Sequence, residues 1–284
     1  MAALDEQLIQ QHVERALIED VGAGDVTTNT LLPANAMGRA IIVAREPLTL
    51  CGLALAKAAF TQLSGDAIFN APVEDGNDLI LGETILEITA PCRALLTAER
   101  TALNYLQRLS GIATQAARYV EAVRGTGVLI LDTRKTTPGW RAFEKYAVQC
   151  GGARNHRRGL DDLIMIKDNH LAALPGPEPV AGAVARAHEA APELKVEVEA
   201  DTLDQADAAA KAGADIILLD NMPPEMLREA VALIDGRSQI EASGGITVDT
   251  IRAVAETGVN YISVGALTHS AVAVDIAMDF TPTQ

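Results

Sequence analysis

Residues 195–221, KVEVEADTLDQADAAAKAGADIILLDN, read as a strand, a helix and a second strand. In KVEVEA the alternation sets Val196 and Val198 on one face and Glu197 and Glu199 on the other, which is the two-residue period of a strand. DIILLDN is a short apolar run of the kind buried on both faces, and TLDQADAAAKAG between them is amphipathic. Outward from this unit the same grammar repeats in VLILDT, LIMIK, QIEASGG and YISVGA, with helical segments such as TVDTIRAVAETG between them. Six strands follow from this reading, and a short one at Ala153-Arg154-Asn155 would add a seventh. Repeated βα units predict a parallel sheet, either closed toward a barrel or left open and doubly wound. The polar ends of the strands favour the barrel, which gathers all of them on one rim. These ends are Thr133-Arg134-Lys135, Lys167-Asp168, Glu199, Asp220-Asn221, Ser243-Gly244-Gly245 and Gly265.

Upstream the pattern is mixed. Residues 4–20 have helical spacing and stop at Gly22 and Gly24, a turn-rich stretch follows, and GRAIIVARE, AIFNAPV and ETILEITAP read as strands around the helix CGLALAKAAFTQL. A long helix from Leu95 to Arg124 is expected to break near Ser110-Gly111, where the domain boundary is placed.

Composition narrows the function. A net charge of −15 and only 3% aromatic residues speak against nucleic acid, which needs basic surface and stacking rings. Three cysteines, Cys51, Cys92 and Cys150, lack metal spacing and read as reduced, buried thiols. With no signal-like or membrane-spanning run, the expected location is the cytoplasm.

Against this acidic background, residues 131–170 carry eight Lys and Arg and five acids. Such a run is either a solvated face or a site. Arg134-Lys135 and Lys167 follow buried strands, and with Arg157 they suit a small polyanion. Glu197 is expected in an ion pair inside the barrel, and Glu199 and Asp220 as ligands to magnesium or sugar hydroxyls. ASGGIT either offers amides to a phosphate or simply connects a strand to a helix, and the same choice applies to Gly265. His156 either binds an anionic ligand or caps a turn, while His12, His170 and His188 are expected to be structural. No nucleotide-binding glycine motif accompanies a first strand.

The motifs DTRKTTPGWRAFEKYAVQCGGARNHRRGL and IKDNH, with LLTAERTALNYLQRLSGIAT, VEVEAD, DIILLDN, EASGGIT and VGALTHS, resemble the quinolinate phosphoribosyltransferase family over nearly the whole chain. The resemblance implies an N-terminal α/β sandwich domain over residues 1–111, an incomplete (open) TIM-like α/β barrel over 112–267, and a C-terminal helical segment, 268–284, returning to the N-terminal domain. It implies a homodimer or dimer-based hexamer, magnesium as cofactor, and transfer of phosphoribosyl from phosphoribosyl pyrophosphate to quinolinate with loss of CO2, giving nicotinate mononucleotide for NAD synthesis.

By the same resemblance Thr133, Arg134, Lys135, His156, Arg157 and Lys167 bind quinolinate, and Arg100 reaches the neighbouring subunit's site. Lys135, Glu199, Asp220, Ser243, Gly244, Gly245, Gly265 and His269 take phosphoribosyl pyrophosphate, with magnesium on Glu199 and Asp220 directly or through water. Lys135, Lys167, Glu199 and Asp220 are the implied catalytic groups. Trp140 and Ala153 depart from the family pattern, at positions that carry no chemistry. Three alternatives stand beside this reading: a relative with another acceptor, a Schiff-base aldolase using Lys167, and a noncatalytic binding protein.

Overall fold

The structure, a computed structural model, describes residues 4–174 and 179–283. It divides into one unit formed by Met1–Ala117, Thr137–Gly152 and Ser270–Gln284, and another formed by Arg118–Thr136 and Ala153–His269.

The first unit holds α1 (Glu6–Val21), α2 (Val26–Leu31), β1 (Met37–Ala44), β2 (Leu48–Thr49), α3 (Leu53–Leu63), β3 (Ile68–Asn70), β4 (Asp78–Leu79), β5 (Thr84–Pro91) and most of α4 (Cys92–Ala122). Asp5 and Asp25 cap α1 and α2 by accepting the Leu8 and Thr28 amides, which offsets two otherwise unpaired helix-end donors. Along β1, Gly38, Ala40, Ile42 and Ala44 alternate inward. Their face and that of β5, with Phe60, Leu95, Tyr105, Leu106 and Leu109 from the helices, make the core.

Two expectations fail here. The first is the break in the long helix, since α4 runs unbroken for 31 residues. Ser110 and Gly111 are packing residues: Ser110 Oγ accepts the Cys51 amide at 2.9 Å and donates to the Cys51 carbonyl at 3.1 Å. A Cβ on Gly111 would overlap the Val272 carbonyl, so glycine is there for close approach. The second is the helical C-terminal segment. Residues Ile276–Pro282 form the last strand of the chain, β12, antiparallel to β1 with Ile276 opposite Ala44 and Pro282 opposite Gly38. Ile276, Met278 and Phe280 carry the strand alternation, and Phe280 packs over Gly38. The resulting sheet order is β12-β1-β5-β3.

The second unit contains β6 (Leu129–Leu131), β7 (Ile164–Ile166), α6 (Asp168–Ala172), α7 (Pro179–Ala190), β8 (Val196–Ala200), α8 (Leu203–Ala212), β9 (Ile216–Asp220), α9 (Pro224–Ile234), β10 (Gln239–Ser243), α10 (Ile251–Ala255), β11 (Tyr261–Ser263) and α11 (Ala266–His269). Its parallel sheet has the order β6-β11-β10-β9-β8-β7, and Arg154 bridges to Leu131 on the free side of β6. The predicted seventh strand is thus reduced to one bridge. Among the described residues nothing pairs it with β7, so the barrel is open there.

The helix α5 (Arg141–Cys150) follows β6 in the chain yet clusters with the first unit, so a barrel defined as 112–267 takes in a segment that belongs elsewhere. Its buried face explains why: Arg108 reaches Glu144 at 3.1 Å, Tyr146 donates to Asp75 at 3.0 Å, and Phe143 and Trp140 surround His12. Trp140 stacks on Tyr105 with ring centres 5.3 Å apart.

Candidate active site

The strands of the second unit deliver their polar ends to one cavity of about 380 Å³. Thr133, Arg134 and Lys135 enter from the end of β6, His156 and Arg157 from the loop after the Arg154 bridge, and Lys167 from the end of β7. Glu199, Asp220 and Ser243 line it from the ends of β8, β9 and β10. In register, Asp220 lies beside Ser243, and Glu199 lies beside Leu218, the residue two before Asp220.

Four further lining residues, Met165, Leu218, Glu241 and Ser263, have no place in the sequence reading of the site. Glu241 was legible: in QIEAS it stands two before Ser243, as Glu197 stands two before Glu199, so alternation turns it inward.

The remaining predicted residues do not line the cavity. Gly244 carries the chain past Asn221: its φ is +98°, and a Cβ there would overlap the Asn221 side chain, so only glycine fits. Gly245 follows it in the exposed turn, and Gly265 packs against Lys135 and His269. Arg100 is exposed on α4, in the other unit. Three histidines have the structural roles expected: His12 Nδ1 pairs with Tyr105 Oη at 2.8 Å, His170 Nδ1 accepts the Lys167 amide at 2.9 Å, and His188 meets the Gly213 carbonyl.

The cationic side of the cavity is held from behind. Asp132, fully buried, accepts the His156 amide through Oδ1 and the Asn155 side-chain amide through Oδ2, both at 2.8 Å. The Lys135 amide donates to Thr133 Oγ1 at 3.1 Å, and its carbonyl accepts from Thr268 Oγ1 at 2.7 Å. Arg134 differs from its neighbours, because its Nε is buried and meets no acceptor. A buried guanidinium N–H without a partner costs free energy that only an incoming acceptor can recover. Burial and the nearby Arg134 charge both pull the Arg157 pKa down. Like charges have therefore been gathered where an anion would relieve them.

Across the cavity the sign reverses. Lys167 Nζ forms an ion pair with Glu199 Oε2. The Asp220 carboxyl is pushed above its ordinary range by burial and then by the Glu199 and Asp201 charges, against Lys167 and Lys135. Hard oxygen donors crowded in this way suit magnesium, which needs only one or two protein carboxylates and takes its other ligands from water and phosphate. Beneath both sides, His156 Nε2 lies 3.2 Å from Glu197 and 3.3 Å from Glu241, so the partner of Glu197 inside the barrel is a histidine.

Comparison with known proteins agrees over both units. Residues 25–110 match the N-terminal domain and residues 112–279 the C-terminal domain of quinolinate phosphoribosyl transferase. The chain is 44% identical over 273 residues to the nicotinate-nucleotide pyrophosphorylase (carboxylating) of Mycobacterium leprae (strain TN), covering 94% of this chain and 95% of the relative. It superposes on the crystal structure of NadC from Streptococcus pyogenes with a TM-score of 0.95 at 43% identity, over 100% of both chains. The nicotinate-nucleotide pyrophosphorylase from Francisella tularensis gives a TM-score of 0.93 at 36% identity over 98% of both chains.

Proposed function

The chain belongs to the quinolinate phosphoribosyltransferase family, and from that premise we propose how the rim of its barrel performs the reaction. The activity is transfer of the 5-phosphoribosyl group of phosphoribosyl pyrophosphate to quinolinate, releasing pyrophosphate and CO2 and yielding nicotinate mononucleotide in de novo NAD synthesis.

Arg134, Arg157, His156 and Lys167, with Thr133, grip the two carboxylates and aim the ring nitrogen at ribose C1, which is mainly an orientation effect. The nitrogen lone pair forms the bond to C1 while the C1–O bond breaks, its electrons leaving with pyrophosphate. Lys135 lies where it can stabilise the leaving group. Glu199 and Asp220 would hold magnesium, directly or through water, and that ion supplies charge neutralisation to the pyrophosphate. Ser243 lines the phosphoribosyl side, and Gly244 and Gly245 next to it in the chain, with Gly265 packed against Lys135 and His269, are its proposed border. The ribosylated ring is cationic, so it accommodates the electron pair left when the 2-carboxylate departs as CO2, and a proton from water completes the product. No protein nucleophile is needed. Lys167, tied to the Glu199 carboxylate, is poorly placed to act as the free amine of an aldolase.

The observation that carries this reading is the buried Arg134 Nε, without an acceptor among the described residues, on a residue that lines the same cavity as Glu199 and Asp220. Quinolinate labelled in its 2-carboxylate, supplied with magnesium and phosphoribosyl pyrophosphate, is expected to release labelled CO2 in step with nicotinate mononucleotide. Binding without release would leave only a binding protein. We further assign a homodimer or a dimer-based hexamer in which Arg100, exposed on α4, completes the neighbouring protomer's cavity. A cytoplasmic location is in keeping with three buried, unbridged cysteines.

A further inference from the structure

At the floor of the cavity, β8 and β10 each contribute one buried glutamate from either side of β9. Glu197 and Glu241 are 0% and 1% exposed, and none of their four carboxylate oxygens meets a well-aligned hydrogen-bond donor. What they share is His156 Nε2, at 3.2 and 3.3 Å, on a side chain only 7% exposed. Two carboxylates buried this deeply, with no other donors among the described residues, stay charged only beside a cation.

We infer that Glu197 and Glu241 are positioning residues of the diacid clamp: they fix the His156 ring by its Nε2 and keep it an imidazolium under the bound substrate. This rests on the function proposed above. The clamp must hold two negative charges, and a neutral imidazole would contribute none. Other charged groups face the same ring region. Asp132 holds its backbone amide, and Arg157 and Arg134 stand beside it on the rim. A neighbouring positive charge favours a neutral ring, and the glutamates must overcome it.

Burial by itself would drive His156 toward the neutral form, but the contacts with Glu197 and Glu241 outweigh it and push its pKa up to about 10. One contact argues the other way: the Arg157 amide approaches His156 Nδ1 at 2.7 Å, which suits a lone pair on that nitrogen. A single amide is weaker than two buried carboxylates, so this contact must lengthen when the ring is charged.

The sign of the pH dependence follows. With a raised pKa the imidazolium persists below about pH 10, so quinolinate binding to the wild type is flat from about pH 6 to 9. Glu197→Gln or Glu241→Gln removes one partner, the ring loses its proton within that range, and affinity falls about tenfold as pH rises, the loss of roughly one charged hydrogen bond. The test is equilibrium dialysis of quinolinate, without the second substrate, against wild type and both variants across that range. Binding of phosphoribosyl pyrophosphate with magnesium is the control that should not move. Nuclear magnetic resonance of ¹⁵N-histidine in the wild type, with His156 assigned by His156→Asn, reads the ring directly and serves even if the variants do not fold.

An ordinary neutral His156 at pH 7.5, or variants whose quinolinate affinity stays flat with pH, overturns the inference. Wild type that binds no quinolinate at any pH overturns instead the function on which it rests, while the resonance titration still reports the ring.

Discussion

Around α4 in the first unit, polar groups are answered by the protein; at the barrel rim in the second, several are not. Arg108 donates to the Ala271 carbonyl at 2.7 Å and to the buried Glu144 at 3.1 Å, and Ser110 satisfies both backbone groups of Cys51. On the rim, Arg134 Nε has no acceptor, Arg157 is set near Arg134, and Asp220 is pressed by Glu199 and Asp201. Both regions bury charge, but only the first is arranged to stabilise the fold by itself. The contrast teaches that the rim's unmatched groups are complementary to something brought in, and substitutions should separate the two kinds of region cleanly.

The largest effect belongs to the first unit. Arg108→Ala takes its cation from the buried Glu144 carboxylate, leaving it the neutral Thr137 amide and hydroxyl donors, and should cost about 3–5 kcal/mol of stability. Thermal melting checks this, and turnover per folded molecule should be little changed. On the rim the pattern inverts: Arg134→Ala should lower kcat/KM for quinolinate by about tenfold to a hundredfold, from a charged hydrogen bond worth about 1.5–3 kcal/mol, with an unchanged melting temperature. A melting temperature that fell while activity held would place Arg134 with the structural charges.

Sequence made the rim legible because strand ends announce themselves: an apolar run followed by a charge is a local signal. Glu199 and Asp220 were found in this way. The parts that were missed depend on distant partners. Gly111 resembles a helix breaker until the Val272 carbonyl that touches it is known, and β12 is a strand only because β1 offers it an edge. α5 follows a barrel strand, yet its contacts with Asp75, Arg108 and His12 assign it to the first unit. Glu241 is a different case: its alternation with Ser243 is local, but the glycine turn that follows is the stronger signal in that stretch.

Smaller effects refine the contrast. Removing magnesium with a chelator should abolish turnover but leave most quinolinate binding intact, because Arg134, His156 and Arg157 enter the cavity apart from Glu199 and Asp220; dialysis with and without the metal decides it. Mixing Arg100→Ala with Arg134→Ala should restore part of the activity each lacks alone, because a mixed dimer regains one complete cavity; no recovery would confine Arg100 to its own chain. Least of all, Asp279→Asn breaks an exposed pair with Arg45, 64% and 44% accessible, and should change stability by less than about 1 kcal/mol.

The direct test of the rim as a diacid clamp is the affinity of the free protein for quinolinate against nicotinate, which lacks the 2-carboxylate, in wild type and Arg134→Ala. The account predicts that wild type prefers quinolinate by at least about tenfold and that Arg134→Ala loses most of this preference. Equal affinity of the wild type for the two acids, or a preference untouched by Arg134→Ala, would contradict it.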